Sequence, residues 1–120
     1  FISTIITLIY GLGYILHSCA DYETDKLAGV KTTCVRIGKR RSLLLATVLS
    51  IVTSIVFIFG VILFQYATHY LILSVFSLIL IIIIAKTKIN NSKSLVVLQK
   101  RAIYLGYFAG LTALMLYFFS

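Results

Sequence analysis

Charged residues are scarce in this 120-residue sequence. They make up 12% of the chain, against 61% hydrophobic residues, and the mean hydropathy is +1.09. A typical soluble domain is about a quarter charged, so this chain has too little polar surface for a water-soluble particle. Its abundance of large apolar residues also excludes a disordered chain. With only two cysteines and no proline, the sequence excludes a dense disulfide scaffold and carries no signal for a helix kink. The composition therefore indicates an integral membrane protein.

The sequence contains four uncharged apolar runs, at residues 1–20, 43–64, 70–85 and 102–119. Their lengths approach or meet the roughly 20 residues that a helix needs to cross a ~30 Å hydrocarbon core. The alternating pattern of a membrane barrel is absent from the sequence, and a backbone in the bilayer must satisfy its own hydrogen bonds. We therefore expect an all-α fold, a polytopic transmembrane helix bundle with four transmembrane helices, forming one membrane domain over residues 1–120.

The positive charges are confined to the stretches 21–42 and 86–101, which hold all eleven Lys and Arg residues. A net charge of +8 would suit nucleic acid in a soluble protein, but here the bases alternate with apolar runs, so we expect a lipid bilayer and no nucleic acid as partner. The link 65–69 and Ser120 carry no base. The positive-inside rule then places the loops 21–42 and 86–101 on the cytoplasmic side of a multi-pass protein. Residues 95–98 are expected in the membrane interface, and His69 is expected to be a polar cap of the opposite link.

The acidic residues are three in number, and all lie within one short segment, as Asp21, Glu23 and Asp25. The spacing of Asp21 and Asp25 places both carboxylates on one face of a helix, where like charges repel. A divalent cation would offset this repulsion, and Mg²⁺ favours one or two carboxylates together with phosphate oxygens. Glu23 points away from that face. The alternative is that the acids pair with Lys26, Lys31 or other bases in a solvated loop.

The segment from Asp21 to Thr33 reads DYETDKLAGVKTT, and it is followed by Val35, Gly38 and a basic patch. Over about twenty residues this segment resembles the second aspartate-rich motif of the UbiA superfamily of intramembrane prenyltransferases. That motif has an Asp-xxx-Asp step, then a Gly, a Lys or Arg, a Thr or Ser, and a later Gly. In the family it follows a cytoplasmic helix end and precedes three further helices, which matches the layout expected here.

The resemblance implies a specific chemistry and a set of site residues. Mg²⁺ held by two aspartate motifs would bind an isoprenyl diphosphate, whose prenyl group passes to a hydrophobic acceptor, aromatic or lipid. Asp21 and Asp25 would be the catalytic metal ligands, and Lys31 would contact the diphosphate. Lys26 and His17 are further candidates for the diphosphate site, although His17 can equally be a satisfied or interface-facing histidine.

The sequence departs from the family because the first motif, Asn-Asp-xx-Asp-xxx-Asp, is missing and no other acid replaces it. We therefore expect this chain to be the C-terminal half of a bundle of about nine helices. Its partner would be the missing N-terminal half of the same bundle, and we expect the chain to be inactive by itself.

Two other classes of membrane protein share features with this sequence. Membrane CDP-alcohol phosphotransferases also use interfacial aspartates, but their Asp-Gly-xx-Ala-Arg and Gly-xxx-Asp-xxx-Asp patterns do not occur in this sequence. A non-enzymatic four-helix transport or assembly module could bind a cation at its acidic loop. Transporters usually place ionisable groups near the bilayer midplane, whereas these acids lie at a helix end.

The remaining polar residues suggest structural roles. Cys19 and Cys34 lack metal or redox spacing and are expected to be free thiols. Four bases of the loop 21–42 are expected to be headgroup anchors and topology determinants: Arg36, Lys39, Arg40 and Arg41.

Overall fold

The structure is a computed structural model that describes residues 2–64, 71–89 and 91–119. The prediction for His69 lies outside these residues. All secondary structure in the described ranges is helical, which confirms the all-α fold class. In chain order the helices are α1 (Ile2–Ala20), α2 (Tyr22–Leu27), α3 (Thr33–Ile37), α4 (Lys39–Phe64), α5 (Leu71–Ala85) and α6 (Ser92–Phe119).

The four longer helices form a closed ring of neighbours. Helix α4 packs between α1 and α5, and α6 closes the ring by packing on both α5 and α1. The buried apolar core is formed by the C-terminal half of α1, the beginning of α4, the end of α5 and the beginning of α6. Its central members are Leu16, Cys19, Leu43, Ile84, Leu95 and Leu98. Because these segments meet at one end of the bundle, the two basic stretches 21–42 and 86–101 lie at the same end.

The outer surface of the bundle is apolar. Large side chains such as Leu44, Ile62 and Phe108 are each more than 60% exposed, an extent of exposed apolar surface that water does not tolerate in a monomer. Helices α1 (over Ser3–Ala20) and α4 (over Lys39–Leu63) are long and apolar enough to cross a membrane. Helix α5 is apolar but has 15 residues, fewer than the roughly 20 of a full span. A helical membrane fold is thus supported, while the division into four spans stays a prediction.

The helices extend further into the polar stretches than the apolar runs alone suggest. Helix α4 begins at Lys39 rather than at residue 43, and α6 begins at Ser92 rather than at residue 102. Residues 95–98 belong to the first turns of α6, where Leu95 and Leu98 are 1% and 2% exposed and are part of the core; their position in the membrane interface stays a prediction. Their spacing of one helical turn puts both on the face of α6 that packs against α1 and α5.

Hydroxyl groups supplement the apolar packing between α4 and α5. Ser54 of α4 and Ser77 of α5 share a hydrogen bond between their hydroxyls, and Ser50, Ser54 and Ser74 are buried. The hydroxyls of Ser50, Ser54 and Ser74 each donate a hydrogen bond to a backbone carbonyl about one turn earlier in the same helix. Their hydrogen-bonding groups are therefore paired although they lie in apolar surroundings. These residues therefore hold α4 to α5 without a charged group.

Candidate active site

The three acids lie where α1 passes into α2, and the backbone is continuous there. The Asp21 N–H donates to the carbonyl of His17 over 3.0 Å, and the Asp25 N–H donates to the carbonyl of Asp21 over 2.8 Å. These are the bonds of an α-helix, although regular helix is interrupted at Asp21. His17, Asp21 and Asp25 therefore lie on one face at successive turns, with Cβ atoms of neighbouring turns about 5–6 Å apart.

Glu23 lies on a different face and is neutralised within the chain. The Lys39 ammonium donates to Oε1 of Glu23 over 2.6 Å. That hydrogen bond, together with the positive charge of Lys39, holds the pKa of the Glu23 carboxyl below its usual range. The Lys39 side chain is 15% exposed, and its ammonium lies 4.5 Å from the centre of the Tyr22 ring. The interpretation of Lys39 as a headgroup anchor is therefore wrong, since this base ties the start of α4 to α2.

Asp21 and Asp25 have no lysine or arginine partner in the described part of the chain. Asp21 contacts Nδ1 of His17 at 3.3 Å through Oδ2, and its side chain is 46% exposed. Neither Lys26 nor Lys31 forms an ion pair with an acid among the described residues. The alternative in which the acids pair with bases of the loop therefore holds for Glu23, through Lys39. It does not hold for Asp21 and Asp25, which pair with no lysine or arginine among the described residues. Two carboxylates one turn apart are left open to a cation.

His17 connects the acidic turn to α6. The side-chain amide nitrogen of Gln99 lies 2.8 Å from Nδ1 of His17, the same nitrogen that faces Asp21. A single ring nitrogen either donates or accepts, so Nδ1 can donate to the Asp21 carboxylate or accept from the Gln99 amide, but not both at once. Gln99 therefore influences which hydrogen bond Asp21 receives.

The segment after α2 folds back onto α1 through two glycines with positive φ. Gly29 has φ 71° and follows the end of α2, where the Val30 N–H donates to the Asp25 carbonyl over 2.8 Å. Gly38 has φ 85° and ψ 155°, a region that is essentially restricted to glycine. Between them, the Cys34 N–H donates to the Ser18 hydroxyl over 2.9 Å. The acidic turn is thus the start of a loop that returns to α1 before α4 begins.

Both cysteines are buried in this returning loop and its base. Cys19 and Cys34 are 1% and 0% exposed, and both are free thiols, which confirms that expectation. They contribute to the packing of α3 on α1.

The chemistry of the donor set fits a magnesium ion bound in part by this chain. Carboxylate oxygens are the ligands that Mg²⁺ prefers, and it completes its octahedron with waters and phosphate oxygens. Within residues 2–64, 71–89 and 91–119, no three His, Cys, Asp or Glu side chains form a metal-binding cluster. The Asp21–Asp25 pair can therefore supply at most two protein ligands, which suffices for a metal shared with a diphosphate.

The structure brings together some of the predicted site residues and adds others. One helical face carries His17, Asp21 and Asp25. Lys26 lies on the short helix α2, as Asp25 does. Lys31 is exposed in the loop beyond Gly29. Sequence reasoning missed the contacts of Gln99 and Lys39, since each reaches its partner across a long separation in sequence. The one available signal was that Gln99 is an uncharged polar residue directly after the apolar residues 95–98.

The model of the UbiA prenyltransferase family matches residues 1–105, most of the chain and all of the acidic turn and its returning loop. The chain matches no curated protein and no solved structure.

Proposed function

The chain belongs to the UbiA prenyltransferase family, and from this membership we propose that it forms one metal-binding half of a Mg²⁺-dependent intramembrane prenyltransferase. The family is membrane-embedded, generally depends on a divalent metal, and acts on isoprenyl diphosphates and hydrophobic acceptors. The proposed reaction moves the isoprenyl group from its diphosphate to an aromatic or lipid acceptor. The family match and the acidic turn favour this function over a transport or assembly module.

One observation carries the proposal: among the described residues, Asp21 and Asp25 have no lysine or arginine partner, while Glu23 is neutralised by Lys39. Lys39 binds Glu23, whereas Asp21 and Asp25 lie together on another helical face and are partly exposed. These two carboxylates would hold Mg²⁺ together with oxygens of the diphosphate. When bound, Mg²⁺ supplies positive charge that stabilises the departing diphosphate.

The lysines of the returning loop would assist the same leaving group. Lys31 is exposed and lies two residues beyond Gly29, at whose positive φ the chain leaves α2. Its ammonium would bind a diphosphate oxygen and stabilise the negative charge that develops there. Lys26 is a further candidate, although its ammonium lies 5.8 Å from the centre of the Tyr22 ring. His17 would orient the Asp21 carboxylate.

The proposal requires a second aspartate motif. The sequence contains three acids, all in one turn, so it offers one pair of carboxylates where the family resemblance implies two. We propose that a segment carrying Asn-Asp-xx-Asp completes the site as the N-terminal half of the same bundle. The coding sequence upstream of the Phe1 codon tests this: an in-frame motif there supports the proposal, and a stop codon there would favour the non-enzymatic module.

The proposed orientation follows from the charge distribution. The basic stretches lie at the same end of the bundle as the acidic turn, and the positive-inside rule makes this end cytoplasmic in a four-span arrangement. Isoprenyl diphosphates would then approach the site from the cytoplasmic side, with the prenyl chain in the bilayer.

The function is tested by substrate binding and by transfer. Membranes that contain the complete protein are incubated with labelled geranyl, farnesyl and geranylgeranyl diphosphates and a panel of aromatic and lipid acceptors. We expect prenylated product with Mg²⁺ and none with EDTA. Retention of a non-hydrolysable isoprenyl thiodiphosphate should show the same dependence on Mg²⁺. If EDTA changes neither retention nor transfer, the metal-dependent mechanism is wrong.

A further inference from the structure

A concave surface lies between α5 and α6, and no residue of the acidic turn lines it. It consists of a basic cavity of about 490 Å³ and an apolar cavity of about 640 Å³, which share Ile83 and Arg101 as lining residues. We infer that this groove binds one anionic phospholipid, with its phosphate among the bases and an acyl chain along the apolar cavity. This inference does not depend on the proposed transferase activity.

The basic cavity gathers positive charge without any compensating acid. Lys86 and Lys88 follow α5, Lys93 lies in the first turn of α6, and Arg101 lies further along the same helix. The three acids of the sequence all lie in the turn at residues 21–25, so none lines this cavity. Four bases around one cavity repel one another unless an anion lies between them. A phosphate group fits this requirement, because arginine and lysine both bind its oxygens.

The start of α6 adds a smaller attraction of the same sign. The Asn91 side chain caps this helix by accepting the Lys93 N–H over 3.0 Å, and Ser94 of the first turn lines the cavity. The amino end of a long helix carries partial positive charge. The helix end therefore reinforces the lysines in attracting an anion.

The length of the apolar cavity matches the thickness of one membrane leaflet. It runs along α6 from Arg101 to Leu111, a rise of roughly 15 Å at 1.5 Å per residue. That is about half of a ~30 Å hydrocarbon core. Its walls include Tyr104, Tyr107 and Phe108, which are 70%, 74% and 63% exposed. A lipid whose phosphate lies at Arg101 would place its acyl chain along these rings.

The chemistry of the lining distinguishes a phospholipid from an isoprenyl diphosphate. A diphosphate that must depart needs a metal, and a metal needs carboxylate ligands. This groove offers only bases, hydroxyls and apolar groups. A phosphodiester needs no metal and is satisfied by lysine and arginine alone. Basic pockets between membrane helices bind anionic headgroups in this way.

The headgroup end is tested by lipid retention in nanodiscs of mixed phosphatidylglycerol and phosphatidylcholine. After detergent extraction of the complete protein, native mass spectrometry counts each retained lipid. The double variant Lys88→Gln, Lys93→Gln should lower the phosphatidylglycerol to phosphatidylcholine ratio roughly tenfold to thirtyfold, since each base near the surface contributes about fivefold. The matched control is Arg40→Gln, Arg41→Gln, which removes the same charge from exposed positions at the same end. These bases are expected to contact bulk headgroups and do not line the cavity, so the ratio of retained lipids should fall much less than in the Lys88, Lys93 variant.

Two outcomes of this experiment would overturn the inference. An equal fall in both double variants would mean that the whole basic surface attracts lipid without a site. Displacement of phosphatidylglycerol by millimolar inorganic phosphate would mean that the cavity binds a free anion and that the apolar part contributes nothing.

The acyl end is tested by photocrosslinking in the same nanodiscs. Tyr107→p-benzoylphenylalanine places a reactive group in the apolar cavity, and Ile103→p-benzoylphenylalanine places one on α6 outside the lining. We expect the adduct at position 107 to be enriched in phosphatidylglycerol, while the adduct at position 103 follows the bulk lipid ratio. Bulk-ratio adducts at both positions, or a protein adduct at position 107, would contradict a lipid in the groove.

Discussion

Nδ1 of His17 lies 2.8 Å from the side-chain amide nitrogen of Gln99 and 3.3 Å from Oδ2 of Asp21. Through this one ring nitrogen, the beginning of α6 contacts the acidic turn at the end of α1. The Gln99 amide therefore competes with the carboxylate proposed as a metal ligand for this nitrogen of His17. Hydrogen-bond partners of metal ligands influence metal affinity, so α6 can affect the site through His17.

Replacing Gln99 by leucine should change the tautomer of His17. Without the amide, the remaining partner of Nδ1 is the Asp21 carboxylate, which can only accept, so the proton should move to Nδ1. The ¹⁵N chemical shifts of labelled histidine at neutral pH report which ring nitrogen carries the proton. His69, the other histidine of the sequence, is the internal reference. Identical His17 shifts in the variant and the parent would mean that the Gln99 contact does not set the tautomer.

Removing either carboxylate of the Asp21–Asp25 pair should abolish metal-dependent turnover. Asp21→Asn and Asp25→Asn in the complete protein should each lower the transfer rate on the order of 10²-fold or more, the usual cost of losing one electrostatic contact to the transition state. The matched control is Glu23→Gln, which removes an acid from the same turn whose charge is already engaged by Lys39. A loss in the control as severe as in the other two would contradict the division of roles by helical face. All three variants should insert into membranes equally well.

Alanine at Gly38 should destabilise the returning loop. Its backbone, at φ 85° and ψ 155°, is strained for any residue with a Cβ, at a cost of about 1–3 kcal/mol. Open space surrounds the position, so steric contact adds nothing. Gly13→Ala is the matched control, because it lies within α1 with nothing near its added Cβ and alanine favours helix. Reversible denaturation in SDS should show a lower free energy of unfolding for Gly38→Ala and an unchanged or higher one for Gly13→Ala.

The ion pair between Glu23 and Lys39 should give the loop a dependence on acid. The hydrogen bond from Lys39 lowers the pKa of Glu23 in the folded chain, so the folded state binds this proton less readily than the unfolded state. The stabilisation is therefore complete above the ordinary glutamate pKa of about 4.3, and it is lost as the pH falls through the lowered value. A ¹³C titration of the Glu23 carboxyl should show the lowered pKa, and Lys39→Gln should return it towards the ordinary range. An unchanged titration in Lys39→Gln would mean that Lys39 is not the cause.

The sequence predicted those features that depend on local spacing or on hydropathy. The all-α class followed from the apolar runs, and the placement of Asp21 and Asp25 on one face followed from their separation of one turn. The ends of the helices could not be predicted as well, because hydropathy measures transfer into lipid and does not measure backbone hydrogen bonding. Helix α6 therefore begins at Ser92 and includes Lys100, although the apolar run begins only at residue 102.

Contacts between distant positions left no pattern to detect. In the sequence, Glu23 and Lys39 are separated by the rest of α2, by α3 and by the glycine turns. His17 and Gln99 are separated in the sequence by the whole of α4 and α5. Nothing in a single sequence specifies which base of a basic stretch reaches which acid. The same reason explains why Lys39 resembled its neighbours Arg40 and Arg41 in the sequence, although its side chain alone of the three points inward.

The two bonds that fasten the acidic loop also impose an order on biosynthesis. Ser18 accepts from Cys34, and Glu23 accepts from Lys39, so each joins the first helix or its continuation to a residue made later. During translation the aspartates can leave the ribosome and reach the membrane surface, but their turn is not held in place until α3 and the beginning of α4 have emerged. The aspartate pair can form its own helical turn early, but that turn is fastened to the rest of the bundle only after the beginning of α4 has been made.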